Sequence, residues 1–254
     1  MPPLSAREVV ARIAPPPGGD SPTVKEIRYQ LRLRKWSWFD PTLTAEPGIL
    51  QLPDWQFCAT RRVDDDPTPR FEWDGKTEHA CACDFVSVRN ALQECDALLI
   101  ESPHRSEYAD RGRGEALGPL RDTEVNRVVL NRLPGLLEKV ARHVPDGVAG
   151  GFRIAVVNAV QYQTSLAACT AKPRCAINKA VRDRTWHALF DLPEIRDDLD
   201  RRLRKMAPRL ILVASTSRTQ DRLVAFLRER SFRFLALDRH PSGWWRAEPK
   251  IVPL

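Results

Sequence analysis

The sequence predicts an α/β fold: a single three-layer α/β/α domain around a central parallel sheet of roughly four strands, with an N-terminal extension. Three observations carry this expectation. Four short apolar runs, "DALLI", "FRIAVVN", "RLILVA" and "FRFLALD", have the length and continuity of strands buried on both faces. Segments of helical periodicity separate them, and strands alternating with helices imply a parallel sheet covered on both sides. The chain, at 254 residues, is long enough to bury a substantial core.

Taken in order, residues 1–24 are rich in Pro and Gly and are expected to lie loosely on the surface. Residues 25–80 hold "RLRKWSWFD" and several prolines and read as short strands or loops. The extension is therefore set at 1–80 and the main domain at 81–254. Trp36, Trp38 and Phe39 suit either base stacking or anchoring of the extension on the core. Asp84 is placed to cap a helix reaching Glu94, with Phe85, Val88, Leu92 and Cys95 on one face. Further helices are expected at 122–143, 178–190, 194–206 and 217–230. Asp122 or Thr123 caps the first of these, and Pro134 is expected to kink or split it.

Composition limits the function. The chain is 43% hydrophobic and 29% charged, and no apolar run reaches the length of a membrane span. The N-terminus lacks a basic start followed by a continuous apolar stretch, so the expected compartment is the cytoplasm. A net charge of +7, mostly from arginine, suits a polyanionic partner such as DNA, although an arginine-preferring coding composition gives the same balance. The cysteines Cys58, Cys81, Cys83, Cys95, Cys169 and Cys175 lack CxxC spacing, so no metal, cluster or other cofactor is expected.

The ends of the four runs carry the chemistry. The first ends in Glu101, Ser102, Pro103 and His104, and the second in Asn158. The third ends in Ser215, Thr216 and Ser217, and the fourth in Asp238, Arg239, His240, Pro241 and Ser242. In an open parallel sheet, ligands bind outside the carboxyl ends of the strands. Each residue also has a plain role: Ser215 and Thr216 cap the next helix, Asn158 satisfies a loop, and His240 sits in a turn. Glu101 is harder to explain so, because a carboxylate directly after "ALLI" starts near the core and needs a cation, solvent or a task.

These motifs, in this order, resemble those of the uracil-DNA glycosylase superfamily over about residues 95–245. "IESPH" stands where the family has its first strand-end motif, "VVNAVQYQ" where an Asn reads the base, and "RHPSGW" where a His-Pro-Ser motif completes the site. Glu107, six residues after Glu101, matches a second acidic position in one branch. Ser102 departs from the water-activating Asp of the classical enzymes, and His104 from the Tyr that crowds the pyrimidine C5 position. The stacking Phe has no clear equivalent, and Tyr108 is the substitute.

The resemblance implies a DNA glycosylase that flips a base out of the helix and leaves an abasic site. Glu101 is then the carboxylate that positions water or stabilises the cationic sugar, with Glu107 as fallback, and His240 donates to the leaving base. Asn158, His104 and Tyr108 contact the base. Ser102, Pro103, Ser215 and Ser242 grip phosphates, and Trp244 wedges into the duplex unless it is a core residue; with Trp245 adjacent, either of the two can be the one that faces out. "ESPHRSEY…NAVQYQTSL" further resembles a bacterial branch active in antiviral defence. Its expected substrate is phage DNA carrying a hypermodified cytosine, glucosylated 5-hydroxymethylcytosine, and its expected state a monomer. Uracil repair, a nucleotide or nucleoside hydrolase, and a non-catalytic DNA-binding module are the alternatives.

Overall fold

The computed structural model describes residues 5–13, 25–34, 38–39, 42–44, 70–73, 81–83, 96–102, 124–143, 152–161 and 176–253. In chain order the strands begin with β1 (Ser5–Ile13), β2 (Lys25–Arg34), β3 (Trp38–Phe39), β4 (Thr42–Thr44), β5 (Arg70–Trp73), β6 (Cys81–Cys83) and β7 (Asp96–Ile100). Helix α1 (Glu124–Ala141) leads to β8 (Phe152–Asn158), α2 (Ala176–Phe190) and α3 (Pro193–Met206). The chain then forms β9 (Ile211–Val213), α4 (Ser217–Glu229), β10 (Phe234–Leu237), a 3-10 turn (Pro241–Gly243) and β11 (Ile251–Val252). The helix expected over 84–94 lies outside the described residues.

Two sheets result. The larger has seven strands in the order β11-β10-β9-β7-β8-β5-β6. Its four middle strands, β10, β9, β7 and β8, are the four apolar runs, and every pairing among them is parallel. The α/β class expected from the sequence is thus the class observed. Antiparallel strands extend this parallel centre: β11 beside β10, and β5 with β6 beside β8. The smaller sheet is antiparallel and formed by β1 to β4. Residues 5–13, expected to lie loosely, instead pair with β2 from Ser5 opposite Leu33 to Ile13 opposite Lys25.

The parallel strands are apolar because both of their faces are covered. Ala97, Leu98 and Leu99 of β7, Ile154 to Val157 of β8 and Ile211 to Val213 of β9 are all fully buried. Alternate side chains enter two separate cores. Leu98, Ile100, Ile154, Val156 and Leu212 pack with α1, while Ala97, Leu99, Ala155, Val157 and Val213 pack with α2, α3 and α4.

Each helix buries one stripe. Helix α1 uses Val129, Leu133, Leu136, Leu137 and Val140, spaced for one face of a 3.6-residue repeat. Pro134 does not split α1, which runs unbroken from Glu124 to Ala141; the lost amide bond is offset by the buried leucines on either side. In α3 the stripe is Ile195, Leu199, Leu203 and Met206. Pro193 opens the helix, and Ala207 closes it in the left-handed region at φ 48.

Because both faces of β7 are covered, Leu98→Ala and Leu99→Ala are each expected to cost about 2–5 kcal/mol in urea denaturation. A sheet with one solvated face would leave one of the two nearly neutral.

Candidate functional site

The parallel centre brings the four polar strand ends to one edge, in the spatial order Asn158, Glu101, Ser215, Asp238. Neighbouring strands lie about 4.8 Å apart, so the outer two ends are separated by about 14 Å. After β7 the chain leads to α1 on one face; after β9 it leads to α4 on the other. The carboxyl ends of β7 and β9 therefore flank a topological switch point, where open α/β sheets form their crevice.

Glu101 stands at that point. It is 3% exposed, yet its carboxylate is fully engaged. Oε1 accepts the Thr216 backbone N–H at 2.6 Å and the Thr219 hydroxyl at 2.9 Å, while Oε2 meets the Arg182 guanidinium. Its backbone carbonyl accepts from Trp186 Nε1 at 2.9 Å and from the Val160 N–H at 3.0 Å. The side chain thus occupies the N-terminus of α4, where a negative charge is favoured by the unpaired amides and the helix dipole. Thr216 does hold the N-cap position, but its own side chain makes no capping bond. Glu101 supplies the cap from another strand.

The charge continues outward. Arg182 also faces Asp183 at 3.4 Å, and Asp183 in turn meets Arg218. Burial pushes the Arg182 guanidinium below its ordinary value, nearby Asp183 opposes this, and Arg218 adds to it.

Asn158 ends β8 opposite Ile100 and is fully buried. Its carbonyl accepts from Arg202 of α3 at 3.0 Å. Gln161, three residues on and 3% exposed, has a side-chain oxygen that meets no donor among the described residues, and the hydroxyl of the fully buried Ser215 likewise meets no partner among them. The structure gives Ser215 the place of a buried strand-end residue ahead of α4 rather than of an exposed phosphate contact. Ser102 is half-buried beside Glu101.

At the far end, His240 caps the 3-10 turn. Its Nδ1 accepts the Ser242 N–H at 3.2 Å and lies 2.9 Å from the Ser242 hydroxyl. With Nδ1 an acceptor, the neutral ring carries its proton on Nε2. Ser242 itself is exposed. Asp238 is tied to the last strand through the Lys250 N–H at 2.8 Å. Partial burial would raise its carboxyl, but the bonds from Arg239 and Lys250 outweigh this and hold it below the ordinary carboxylate value.

Trp244, expected as a wedge, is a core residue: it is fully buried, and its Nε1 donates to the Arg239 carbonyl at 3.2 Å. Trp245 is 62% exposed, with the Arg246 guanidinium 4.7 Å from its ring centre. Pro103, His104, Glu107 and Tyr108 lie outside the described residues. Among the described residues, no three His, Cys, Asp or Glu side chains converge as a metal site requires, and no helix is long and apolar enough to cross a membrane.

Arg182, Arg202 and Gln161 were missed in sequence reading. Polar groups on helical segments such as "KAVRDRTWHALF" and "DLDRRLRKM" carry no mark of facing inward. The chain matches no protein-family model, no curated protein and no solved structure.

Two measurements follow. Glu101→Leu alone, which removes the buried carboxylate that Arg182 meets, is expected to cost about 3–5 kcal/mol, and pairing it with Arg182→Met to recover much of that; denaturant midpoints across the cycle check it. The second concerns His187 of α2. Burial holds its ring below the ordinary 6.5, helped by Arg222 and Arg184 and opposed by Asp191 and Asp183. The folded protein then binds fewer protons than the unfolded chain, so stability falls as pH drops below about 6.5 and levels off below the folded midpoint. An NMR titration should give that midpoint, and His187→Gln should flatten the pH dependence.

Proposed function

We propose that this protein is a DNA glycosylase that cuts the N-glycosidic bond of a flipped-out modified pyrimidine and leaves an abasic site. The substrate class is a cytosine bulky at C5, such as glucosylated 5-hydroxymethylcytosine in phage DNA. The observation that carries this reading is the single parallel edge on which Asn158, Glu101 and the His240 turn end together. The bond from the Ser242 N–H to His240 Nδ1 supports it further, because it fixes the orientation of the ring.

In the reaction the bond from C1′ to the pyrimidine N1 breaks, with its electron pair leaving on the base. Water adds to C1′ and releases a proton. His240 Nε2–H donates to the base oxygen where negative charge grows, and such a donor is worth about 10²–10³ in rate. Asn158 meets the Watson–Crick edge of the base.

The role of Glu101 changes from the sequence expectation. With both oxygens held by donors and its charge matched by Arg182, it is suited to building the crevice floor rather than activating water. Positioning of water then passes to Glu107. Phosphate contacts fall to Ser102, Pro103 and the exposed Ser242, and the place of an extruded nucleotide to Trp245 rather than Trp244.

The engaged state of Glu101 favours one rival, a DNA-binding module without chemistry. Alkaline cleavage after incubation with uracil-containing, unmodified and glucosylated phage DNA separates the readings. Cleavage of the glucosylated DNA alone is expected, reduced about 10²–10³-fold by His240→Ala, since that half-buried side chain can be removed without unfolding the core. Cleavage of uracil DNA alone would return the protein to repair, and binding without cleavage would establish the module.

A further inference from the structure

We propose that Arg202, held by Asp198, is a positioning residue that fixes the end of β8 and thereby aims Asn158; this rests on the reading of Asn158 as the residue that meets the base. The bonds at the end of β8 carry this. On one side of β8, β7 pairs as far as Ile100 opposite Asn158, and beyond it the Ala159 N–H donates to Ile100 and the Val160 N–H to Glu101. On the other side, β5 pairs only from Phe152 to Ala155. Among the described residues no strand reaches the last carbonyls of β8 on that side. An unmet buried carbonyl is costly, so these carbonyls need a donor.

Arg202 supplies it. Its NH1 donates to the Asn158 carbonyl at 3.0 Å and its NH2 to the Ala159 carbonyl at 3.4 Å. Its Nε donates to Asp198, one turn earlier on α3, at 2.8 Å. The two side chains are 15% and 13% exposed, so water competes little for these bonds. The planar fork of a guanidinium spans two successive carbonyls while keeping a third N–H for the carboxylate; the single ammonium of lysine does not. With amides tied to β7 and carbonyls tied to α3, the peptides around Asn158 cannot rotate, and its side chain enters the edge in one direction.

The test uses the whole chain labelled with ¹⁵N-asparagine, the Asn158 side-chain signals being assigned by their loss in Asn158→Asp. Arg202→Lys and Asp198→Ala are compared with Lys205→Ala, an exposed change on the same helix. The clamp is expected to shift and broaden the Asn158 signals in the first two variants and leave them unchanged in the third. On glucosylated DNA, Arg202→Lys is expected to lower kcat by about 10²-fold, as a slight misplacement of a reacting group does, with KM unchanged. Unmoved Asn158 signals in both variants would overturn the proposal, as would a raised KM with kcat intact, which would make Arg202 a DNA contact. If the wild-type protein makes no abasic sites, the enzymatic reading falls, and the Asn158 signals alone decide the clamp.

Discussion

The buried carboxylate of Glu101 is the interaction on which the rest of this edge depends. A negative charge in an apolar setting survives only if donors surround it. Here they come from two helices: Arg182 from α2, and Thr216 and Thr219 from the start of α4. Trp186 adds a bond to the carbonyl of the same residue. One side chain thus joins β7, α2 and α4, and fixes how the helices of one face meet the strand ends. Removing it would release a cation, a helix cap and a strand end together.

Its location also limits what the crevice can bind. The N-terminus of a helix after a parallel strand is the usual seat for an anionic ligand in such folds. In this protein the seat is taken by the protein's own carboxylate, so the start of α4 does not offer its amides to an outside anion. Ser242 and Trp245 are exposed farther out, beside the buried Trp244.

The positive charge of the chain is likewise less free than its total suggests. Many of the arginines on α2, α3 and α4 face acids: Arg196 with Glu229, Arg204 with Asp200, Arg218 with Asp183 and Arg222 with Asp191. Arg209 reaches Asp96 at the opposite end of β7. Exposed pairs of this kind contribute little to stability, but they neutralise one another and weaken the case for a uniformly basic surface.

The sequence alone determined the parallel centre. Four continuous apolar runs, each too short for a helix and free of alternation, admit few arrangements other than strands buried on both faces, and the helices between them were visible from their periodicity. It also marked Glu101, Asn158 and His240, because a polar residue directly after such a run must lie at a strand end. The alternation of Ile27, Tyr29, Leu31 and Leu33 with polar residues fits the strands expected among residues 25–80. Tertiary structure decided the rest. That Trp244 and not Trp245 is buried, that Glu101 is engaged and that Arg202 reaches the end of β8 all depend on contacts between residues far apart in the chain. Local pattern reports which way an element faces; it does not report what that face meets.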